Sequence, residues 1–459
     1  MDTLRRTLPA RLSPRARFWA DLVLPAICLA ICLWWASCLP VGQAPDEAMR
    51  TPIPFYVLDH GSLPLGSDPE IRNEIWGSSY GYTPYGTSLL SILFGWVARL
   101  LGAGQEGMIF AFRIPSCLFV AAAVLVCEKI GRRVFSSSVA AYGLALFVGF
   151  LPQVTFLGSY LNQDSMTIFA TALVLHCWLV GIERRWDLAG SAALGAALGV
   201  CALSYYFAYG YILLSIVVYV VSGARMAREG RAEPRALALH ALLVFAVAMA
   251  VGGWFFVRNF IIYDGDLFGR TASSVLAEQY AQPGFKPSEH WTPQIGGTGV
   301  IEMVLGDWLV TTAKSFIGVF AYMNEYLSNK LYVAYGLVLL ACLLASPLYL
   351  ARGERFEGKA LVIASLLVCA LIVVGLDVYY SWAVDYQPQG RYLMGALVPL
   401  MLLAAAGLDA LASGLYREGG RLATALSRVA PAIPVGYALL FAYVLVNYIV
   451  PRLTGGIGA

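Results

Sequence analysis

Charged residues are scarce in this chain of 459 residues, making up 13% of the sequence where an ordinary soluble protein has about 25%. Apolar residues account for 59%, and the mean hydropathy is +0.69. This shortage of charge excludes a soluble protein with a single anchor and indicates a chain that crosses a membrane many times. The net charge of +3 is too small, and the basic residues are too widely spread, to indicate a nucleic acid partner.

Paired cysteines and the common nucleotide and zinc-hydrolase motifs are also absent. None of the nine Cys residues belongs to a CxxC pair or a Cys/His cluster, so neither a disulfide framework nor a zinc site is indicated. The sequence has no GxxxxGK[ST] loop, no GxGxxG after a strand and no HExxH, which leaves nucleotide-driven transport and zinc hydrolysis without support. The glycine-rich run from Gly190 to Gly199 lies in an apolar stretch and predicts close helix packing.

Long apolar runs are what the sequence has in abundance, and eleven of them suit transmembrane helices. Of the 31 Lys and Arg residues, 20 fall in the short segments that this scheme places on the inner side of the membrane. We therefore expect an uncleaved first helix, a cytoplasmic N-terminus and an outer C-terminus. The predicted spans are 18–39, 111–127, 138–157, 165–182, 188–204, 207–222, 236–257, 331–350, 360–376, 392–412 and 433–450.

Both long loops, 41–110 and 258–330, are expected on the outer face, within a single membrane-embedded domain that covers residues 1–459. Counting the apolar stretch 87–101 as a further span would move the basic residues after the second span to the outside. We therefore predict that this stretch lies against the outer interface as a helix. Two further interfacial helices are predicted, at 46–59 and within 304–322.

The first polar cluster, Asp46 and Glu47, directly follows the first span, and the same loop carries His60. Charge at the mouth of a helix bundle is costly and indicates a functional site. A carboxylate there can deprotonate an acceptor hydroxyl or hold a divalent cation. The alternative is a pair of acidic residues that interacts with the dipole of a following helix.

Three other polar clusters fall at predicted outer ends of spans. Asp164, with Asn162 before it, is either the cap of the next helix or a site residue. Arg258, with Asn259, and Arg391, in the run Gln389-Gly390-Arg391-Tyr392, are suited to phosphate by their planar guanidinium groups, although each can also extend to lipid headgroups. Together the four clusters suit an anionic lipid headgroup and an acceptor that must lose a proton.

The order of these features resembles the GT-C superfamily of membrane glycosyltransferases, which includes protein O-mannosyltransferases and the lipid A aminoarabinose transferase. Asp46-Glu47 matches the acidic pair in the first outer loop of those enzymes, and Tyr82-Thr83-Pro84-Tyr85 looks like their aromatic stretch before a juxtamembrane helix, with Thr-Pro-Tyr where many members have His-Pro-Pro. Phe112-Arg113-Ile114-Pro115-Ser116 matches the start of their second span. The clusters around Asp164, Arg258 and Arg391 look like motifs of a poorly characterised bacterial branch.

The resemblance implies an all-α, GT-C-like bundle of about 11 transmembrane helices in a bacterial inner membrane. It implies transfer of a sugar from undecaprenyl or decaprenyl phosphate to an envelope glycan, lipid or protein on the extracytoplasmic face, with inversion at the sugar. Asp46 would be the general base supported by Glu47, and Arg258 and Arg391 would bind the donor phosphate. A divalent cation, Mg²⁺ or Mn²⁺, is needed by some members and not by others, so the metal requirement stays open. The donor and acceptor pocket would include Asp164, Asn162, His60, Tyr82, Tyr85, Asn259, Gln389 and Tyr392.

Two other functions stay open at this point. A ligase or polymerase of polyprenyl-diphosphate glycans would use basic residues of a late outer loop, and this chain has Arg270, Lys286 and His290 there. A transporter or flippase of lipid-linked glycans would need polar groups at mid-membrane depth, and the predicted spans are nearly free of charge there.

Overall fold

The structure, a computed structural model, describes residues 14–413 and 420–454. The basic residues that we placed at the N-terminus, Arg5, Arg6 and Arg11, lie outside these ranges. In the first half of the chain every element is helical. The helices are α1 (Pro14–Cys38), α2 (Glu47–Arg50), α3 (Pro52–His60), α4 (Gly86–Leu100), α5 (Gln105–Val134), α6 (Ser138–Gly149), α7 (Pro152–Leu157), α8 (Asp164–Glu183), α9 (Leu188–Leu203) and α10 (Tyr209–Arg228), with 3₁₀ turns at Pro69–Ile71, Tyr80–Tyr82 and Tyr206–Ala208.

The second half is also helical apart from one short antiparallel hairpin, β1 (Val319–Phe320) with β2 (Glu325–Tyr326). Strands of two residues give no alternation that the sequence could reveal, and the hairpin was not predicted. The helices are α11 (Pro234–Ala248), α12 (Trp254–Ile262), α13 (Arg270–Tyr280), α14 (Val300–Met303), α15 (Leu309–Gly318), α16 (Asn329–Leu350), α17 (Lys359–Ala383), α18 (Leu397–Ala412), α19 (Gly420–Val429), α20 (Ala432–Val444) and α21 (Val450–Thr454), with π turns at Met249–Gly253, Val304–Trp308 and Leu445–Ile449 and a 3₁₀ turn at Gly390–Ala396.

All eleven predicted spans coincide with helices. Within the described ranges, nine helices are long and apolar enough to cross a membrane, counting a helix that continues through a π turn as one. The other two predicted spans correspond to the shorter α6 and α9. Helix α6 ends at Gly149 because Pro152 starts a new helix, α7, three residues later. The chain is therefore a multi-pass, all-α membrane protein, as predicted, while the count of eleven crossings stays a prediction.

The glycine-rich stretch in α9 packs tightly against α11 and the π turn that follows it, as the sequence predicted. A Cβ atom at Gly195 would lie 2.6 Å from the carbonyl oxygen of Val244, and one at Gly199 would lie 2.5 Å from Cβ of Val251. Because no side chain fits there, glycine lets the two backbones approach to contact.

The first long loop is helical where we expected interfacial helices. Residues 46–59 contain α2 and α3, and 87–101 correspond to α4. Helix α4 has 15 residues, a length of about 22 Å, which is less than the roughly 30 Å of a hydrocarbon core. The stretch 304–322 is helical only in part, because the backbone of Gly306 leaves the helical conformation and the hairpin follows α15.

The two long loops pack against each other and form one layer over the helix ends. Ser78 and Ser273 share a hydrogen bond of 2.7 Å, and the backbone N–H of Gln282 donates to the carbonyl oxygen of Ile75 at 3.0 Å. The indole N–H of Trp382, near the end of α17, donates to the carbonyl oxygen of Thr298 at 2.9 Å. This layer holds the first loop in place above the bundle.

Candidate functional site

The site centres on an ion pair between the first loop and the start of the span that contains α18. Nη2 of Arg391 lies 2.8 Å from Oδ2 of Asp46. The Arg391 side chain is 6% exposed, whereas that of Asp46 is 26% exposed. The pair is therefore closed on the arginine side and open on the carboxylate side, so an acceptor can approach Asp46.

The backbone of Asp46 adopts a left-handed conformation, with φ of 62°. Non-glycine residues reach this region only at a cost of about 1–3 kcal/mol, and such residues concentrate at functional sites. The carboxylate makes no capping hydrogen bond to α2, the helix that it precedes. The Asp46 side chain therefore does not cap α2 and pairs with Arg391 instead, while an interaction of the acidic pair with the dipole of α2 is not tested by this contact.

Glu47 is held by Arg113 of α5 through two parallel hydrogen bonds of 2.8 and 2.6 Å, and both side chains are buried. The Oε1 atom of Glu47 also accepts the backbone N–H of Leu161 at 3.1 Å. Arg113 in turn donates to the carbonyl oxygens of Ala36 and Leu39 at the end of α1. Both oxygens of Glu47 are therefore occupied by contacts within the protein.

Arg50, one helical turn after Asp46, completes the charged centre. Its guanidinium group lies 4.1 Å from the centre of the Tyr80 ring and is buried. Its Nε and Nη1 atoms have no hydrogen-bond partner among the described residues. Unsatisfied buried guanidinium donors are costly, so Arg50 is suited to an anionic ligand.

Asp164 stands at the first position of α8, and its neighbour Asn162 caps this helix. The Oδ1 atom of Asn162 accepts the backbone N–H of Ser165 at 2.9 Å, and its amide donates to the carbonyl oxygens of Leu157 and Tyr160. Asp164 makes no side-chain cap to its helix. It is buried within electrostatic range of Asp46, Arg50 and Arg391. Asp164 is therefore a member of the charged centre, and Asn162 positions it.

The charged centre thus contains two carboxylates, Asp46 and Asp164, and two guanidinium groups, Arg50 and Arg391. Burial raises the pKa of the Asp46 carboxyl, but the two guanidinium groups outweigh burial and hold this pKa below its usual value. Asp46 is consequently ionised at neutral pH. Burial raises the pKa of the Tyr80 and Tyr160 hydroxyls beside it well above the usual value, so both stay protonated.

A chain of hydrogen bonds leads from the charged centre to the second long loop. The hydroxyl of Tyr392 accepts from Arg391 at 3.1 Å and donates to the side-chain oxygen of Gln387. The Gln387 amide donates to Asp385, whose other oxygen lies 2.9 Å from Nε2 of His290. Through these contacts the late outer loop supports the position of Arg391.

Four other predicted site residues form a separate group where the first loop meets α12. The side-chain amide of Asn259 donates to the carbonyl oxygen of Tyr82 at 3.0 Å, and Nη2 of Arg258 donates to that of Pro64 at 2.7 Å. The Tyr85 ring packs edge-on against Phe255, with centroids 5.3 Å apart. The structure shows no contact between Arg258 and Arg391, so their joint binding of one phosphate stays a prediction.

The last two predicted pocket residues lie at the margins of the site. His60 is exposed and pairs with Glu70 at 2.9 Å on the outer surface. Gln389 contacts Gln387 at 3.4 Å, and its own side-chain oxygen is buried without a partner among the described residues. Gln389 therefore lies beside the chain from Arg391 to His290, whereas no contact links His60 to the charged centre.

Sequence reasoning missed Arg50, Tyr80, Tyr160 and the role of Arg113. Arg50 follows Asp46 by four residues, a spacing that places two side chains on one helix face, and this signal could have identified it. Tyr80 and Tyr160 carried no comparable signal, because tyrosine is abundant in this chain, with 26 copies.

The structure leaves the metal requirement open. Among the described residues, no group of three His, Cys, Asp or Glu side chains lies together. The two carboxylates of the centre are already compensated by two guanidinium groups. Hard cations of this kind take six or more oxygen ligands, including several carboxylates or waters.

Comparisons with known proteins agree with this architecture. Residues 72–403 match the model of a family described as "Predicted membrane protein (DUF2142)". A stretch of 120 residues is 29% identical to a phosphatidate cytidylyltransferase of Rickettsia bellii, and this match covers 25% of the chain and 48% of that protein.

Two solved structures share the overall fold. The oligosaccharyltransferase AglB from Archaeoglobus fulgidus, in complex with an inhibitory peptide and a dolichol-phosphate, has a TM-score of 0.53 at 16% identity over 94% of this chain and 56% of AglB. ArnT from Cupriavidus metallidurans, bound to undecaprenyl phosphate, has a TM-score of 0.53 at 18% identity over 95% of this chain and 72% of ArnT. This chain therefore spans little more than half the length of AglB. The likeness confirms the predicted GT-C fold.

Proposed function

This chain belongs to the DUF2142 family of predicted membrane proteins, and we propose that it is a glycosyltransferase with a polyprenyl-phosphate sugar as donor. The observation that carries the proposal is the ion pair of Asp46 and Arg391 with the unsatisfied guanidinium of Arg50 beside it. This transfer needs a base that is open to an acceptor and two guanidinium groups that are suited to a phosphate. The bound lipid phosphates of AglB and ArnT, which share the fold, support the same class of donor.

In this mechanism Asp46 takes the proton of the acceptor hydroxyl as the acceptor oxygen attacks the anomeric carbon. The bond between that carbon and the phosphate oxygen breaks, and its electron pair leaves with the polyprenyl phosphate. Arg391 and Arg50 stabilise the charge that develops on the leaving phosphate. Attack from the side opposite the leaving group inverts the anomeric carbon, and Asp164 keeps the two guanidinium groups oriented.

Binding of the donor also frees the base, Asp46, from its ion pair with Arg391. In the described state Arg391 is paired with Asp46. A phosphate that binds Arg391 competes with the Asp46 carboxylate for the same donors, which removes part of the charge that lowers the pKa of Asp46. Binding of the donor thereby makes Asp46 a stronger base when the acceptor arrives.

The remaining predicted residues take supporting roles in this proposal. Glu47 is held by its ion pair with Arg113 and thereby fixes the position of the adjacent Asp46. The Nη1 atom of Arg258 is buried without a partner among the described residues, and it meets the donor phosphate as the lipid enters from the bilayer. The site faces the extracytoplasmic side of a bacterial inner membrane, and the acceptor is an envelope glycan, lipid or protein.

The test is turnover by purified full-length protein in detergent with radiolabelled donors. We expect release of polyprenyl phosphate from polyprenyl-phosphate sugars when an acceptor extract is added. A transporter would release no polyprenyl phosphate, because in detergent there is no membrane with two separate sides across which it could move a lipid. Release from none of the monophosphate donors would contradict the proposal.

A ligase or polymerase of polyprenyl-diphosphate glycans is the second candidate. The contact between His290 of the late outer loop and Asp385 favours it, because it links that loop to Arg391 through Gln387 and Tyr392. Turnover of a diphosphate-linked glycan but not of a monophosphate sugar would select this candidate.

Replacing Arg50 by Lys is expected to lower kcat/KM for the donor by about 10–100-fold, since hydrogen bonds to charged groups contribute about 1.5–3 kcal/mol. Lysine keeps the charge but cannot present two parallel donors to a phosphate. Arg72→Lys is the matched control. Arg72 lies in the same loop as Arg50 but outside the charged centre, and its guanidinium carbon is 3.8 Å from the ring centre of Tyr280 in the second long loop. Equal kinetics for both variants would remove Arg50 from the phosphate site.

Transfer is expected to run at the same rate in EDTA as in Mg²⁺ or Mn²⁺, because Arg50 and Arg391 supply the positive charge. The measurement is the initial rate of protein that was purified in EDTA, before and after addition of each cation. A tenfold increase on addition of Mn²⁺ or Mg²⁺ would show that a metal takes part.

A further inference from the structure

Asp377 is a buried carboxylate that the charged centre does not use. It lies in α17, six residues and so about 9 Å before the outer end of the helix at Ala383. The residue is 0% exposed, and neither carboxylate oxygen has a hydrogen-bond partner among the described residues. An ionisable side chain inside a membrane span is expensive and marks a functional site by default.

Other buried acids in the spans are different. Asp409 accepts the backbone N–H groups of Ser136 and Ser137 at 3.0 and 2.7 Å, which explains its burial as an acceptor for the turn before α6. Glu128 is paired with Arg132. No such structural role is visible for Asp377, so its oxygens are free to accept hydrogen bonds from a ligand.

Several aromatic side chains lie near this carboxylate. Helix α17 packs against the 3₁₀ turn at Tyr206–Ala208 and against the one at Gly390–Ala396. Tyr206 lies within electrostatic range of Asp377, and Tyr380 stands one turn after it on the same helix. The rings form one continuous cluster with centroids 4.6 to 6.2 Å apart, made of Tyr205, Tyr206, Phe207, Tyr380 and Tyr392.

This aromatic cluster adjoins the charged centre. Tyr392 stacks on Tyr205, with an angle of 21° between the rings, and its hydroxyl lies 3.1 Å from Nη2 of Arg391. A group attached to a phosphate at Arg391 therefore reaches the aromatic cluster first. Tyr205, Tyr206 and Tyr380 are only half-buried, so the cluster has an open side.

We propose that Asp377 and the aromatic cluster form the subsite for the donor sugar, with the two oxygens of Asp377 accepting hydrogen bonds from sugar hydroxyls. The inference rests on the proposed function and adds the residue that recognises the sugar. Aromatic faces cover the C–H face of a sugar ring, and a few placed polar groups fix its orientation. Rotation of the Tyr206 or Tyr380 side chain opens the path to the carboxylate.

A binding comparison tests this subsite with detergent-purified, full-length Asp377→Asn. The probes are bare undecaprenyl phosphate and undecaprenyl phosphate that carries glucose, galactose, mannose or arabinose. We expect Asp377→Asn to weaken binding of at least one sugar-bearing lipid by about fivefold or more, since a hydrogen bond to a sugar hydroxyl is lost, and to change the affinity for bare lipid less than twofold. Asp409→Asn is the matched control and should leave the ratio of the two affinities unchanged.

The outcome separates this inference from the proposed function. If Asp377→Asn shifts the affinity of bare and sugar-bearing lipids by the same factor for all four sugars, the subsite is wrong even where wild-type protein transfers sugar. Absence of turnover in the wild type contradicts the proposed function, while the affinity ratio still decides the role of Asp377. Loss of an unpartnered carboxylate should not destabilise the fold. Tyr206→Ala, at a half-buried position, gives the same test with the same criterion if Asp377→Asn does not fold.

Discussion

Asp46→Asn is expected to lower kcat by about 10²–10⁴-fold, the usual contribution of a general base. The amide cannot accept the acceptor proton, but it occupies the same space. It also frees Arg391 from its ion pair, so KM for the donor should stay equal or fall. The measurement is the steady-state rate with saturating labelled donor, together with thermal unfolding to show that the variant is folded.

Asp59→Asn is the matched control for this prediction. Asp59 belongs to the same loop and also pairs with an arginine, Arg99, at 2.6 Å, but both side chains are exposed. It should retain wild-type kcat and KM. Wild-type kcat in Asp46→Asn would refute the assignment of Asp46 as the base, whatever the control shows.

The pH profile checks whether the donor releases the base. Asp46 must be deprotonated to act, and its lowered pKa keeps it deprotonated as the pH falls. The acid limb of kcat/KM, which reports the free enzyme, should therefore lie at or below the usual range of aspartate. When a phosphate occupies Arg391 this pKa rises, so the acid limb of kcat should lie at higher pH. If the acid limbs of kcat/KM and kcat lie at the same pH, the donor leaves the ion pair of Asp46 and Arg391 intact.

The sequence was sufficient to place Asp46, Asp164 and Arg391 together. Each stands at a predicted outer end of a span, and ends on one side of a helix bundle converge whatever the packing order. The positions of the spans follow from length and apolar composition, which the membrane imposes directly. For the same reason all eleven predicted spans coincide with helices.

Sequence patterns could not show which polar group contacts which within the outer layer. Glu47 and Asp46 are adjacent, yet one is buried against Arg113 and the other is open to solvent, because the left-handed backbone at Asp46 turns their side chains apart. Arg258 and Arg391 looked equivalent by position, but the first loop covers Arg258 through Pro64. Asp377 directly follows the predicted span 360–376 and belongs to no motif, so sequence analysis did not single it out, whereas the helix continues to Ala383.

Loss of one partner in the pair of Glu47 and Arg113 should have the largest effect on stability. Arg113→Ala leaves a buried carboxylate without compensation, and breaking such a pair costs about 3–5 kcal/mol. It also removes the donors that Ala36 and Leu39 use at the end of α1. The free energy of unfolding, measured by SDS titration in mixed micelles, should fall by this amount.

Arg99→Ala provides the contrast, because the pair with Asp59 is exposed and should contribute less than about 1 kcal/mol. The double variant Glu47→Gln with Arg113→Met leaves no charge buried. Its free energy of unfolding should therefore fall by less than the sum of the decreases in Glu47→Gln alone and Arg113→Met alone. Strict additivity would mean that the two side chains act independently. In that case the pair of Glu47 and Arg113 could not hold the adjacent Asp46 in place. The position of the Asp46 carboxylate would then have to depend on Arg391 alone.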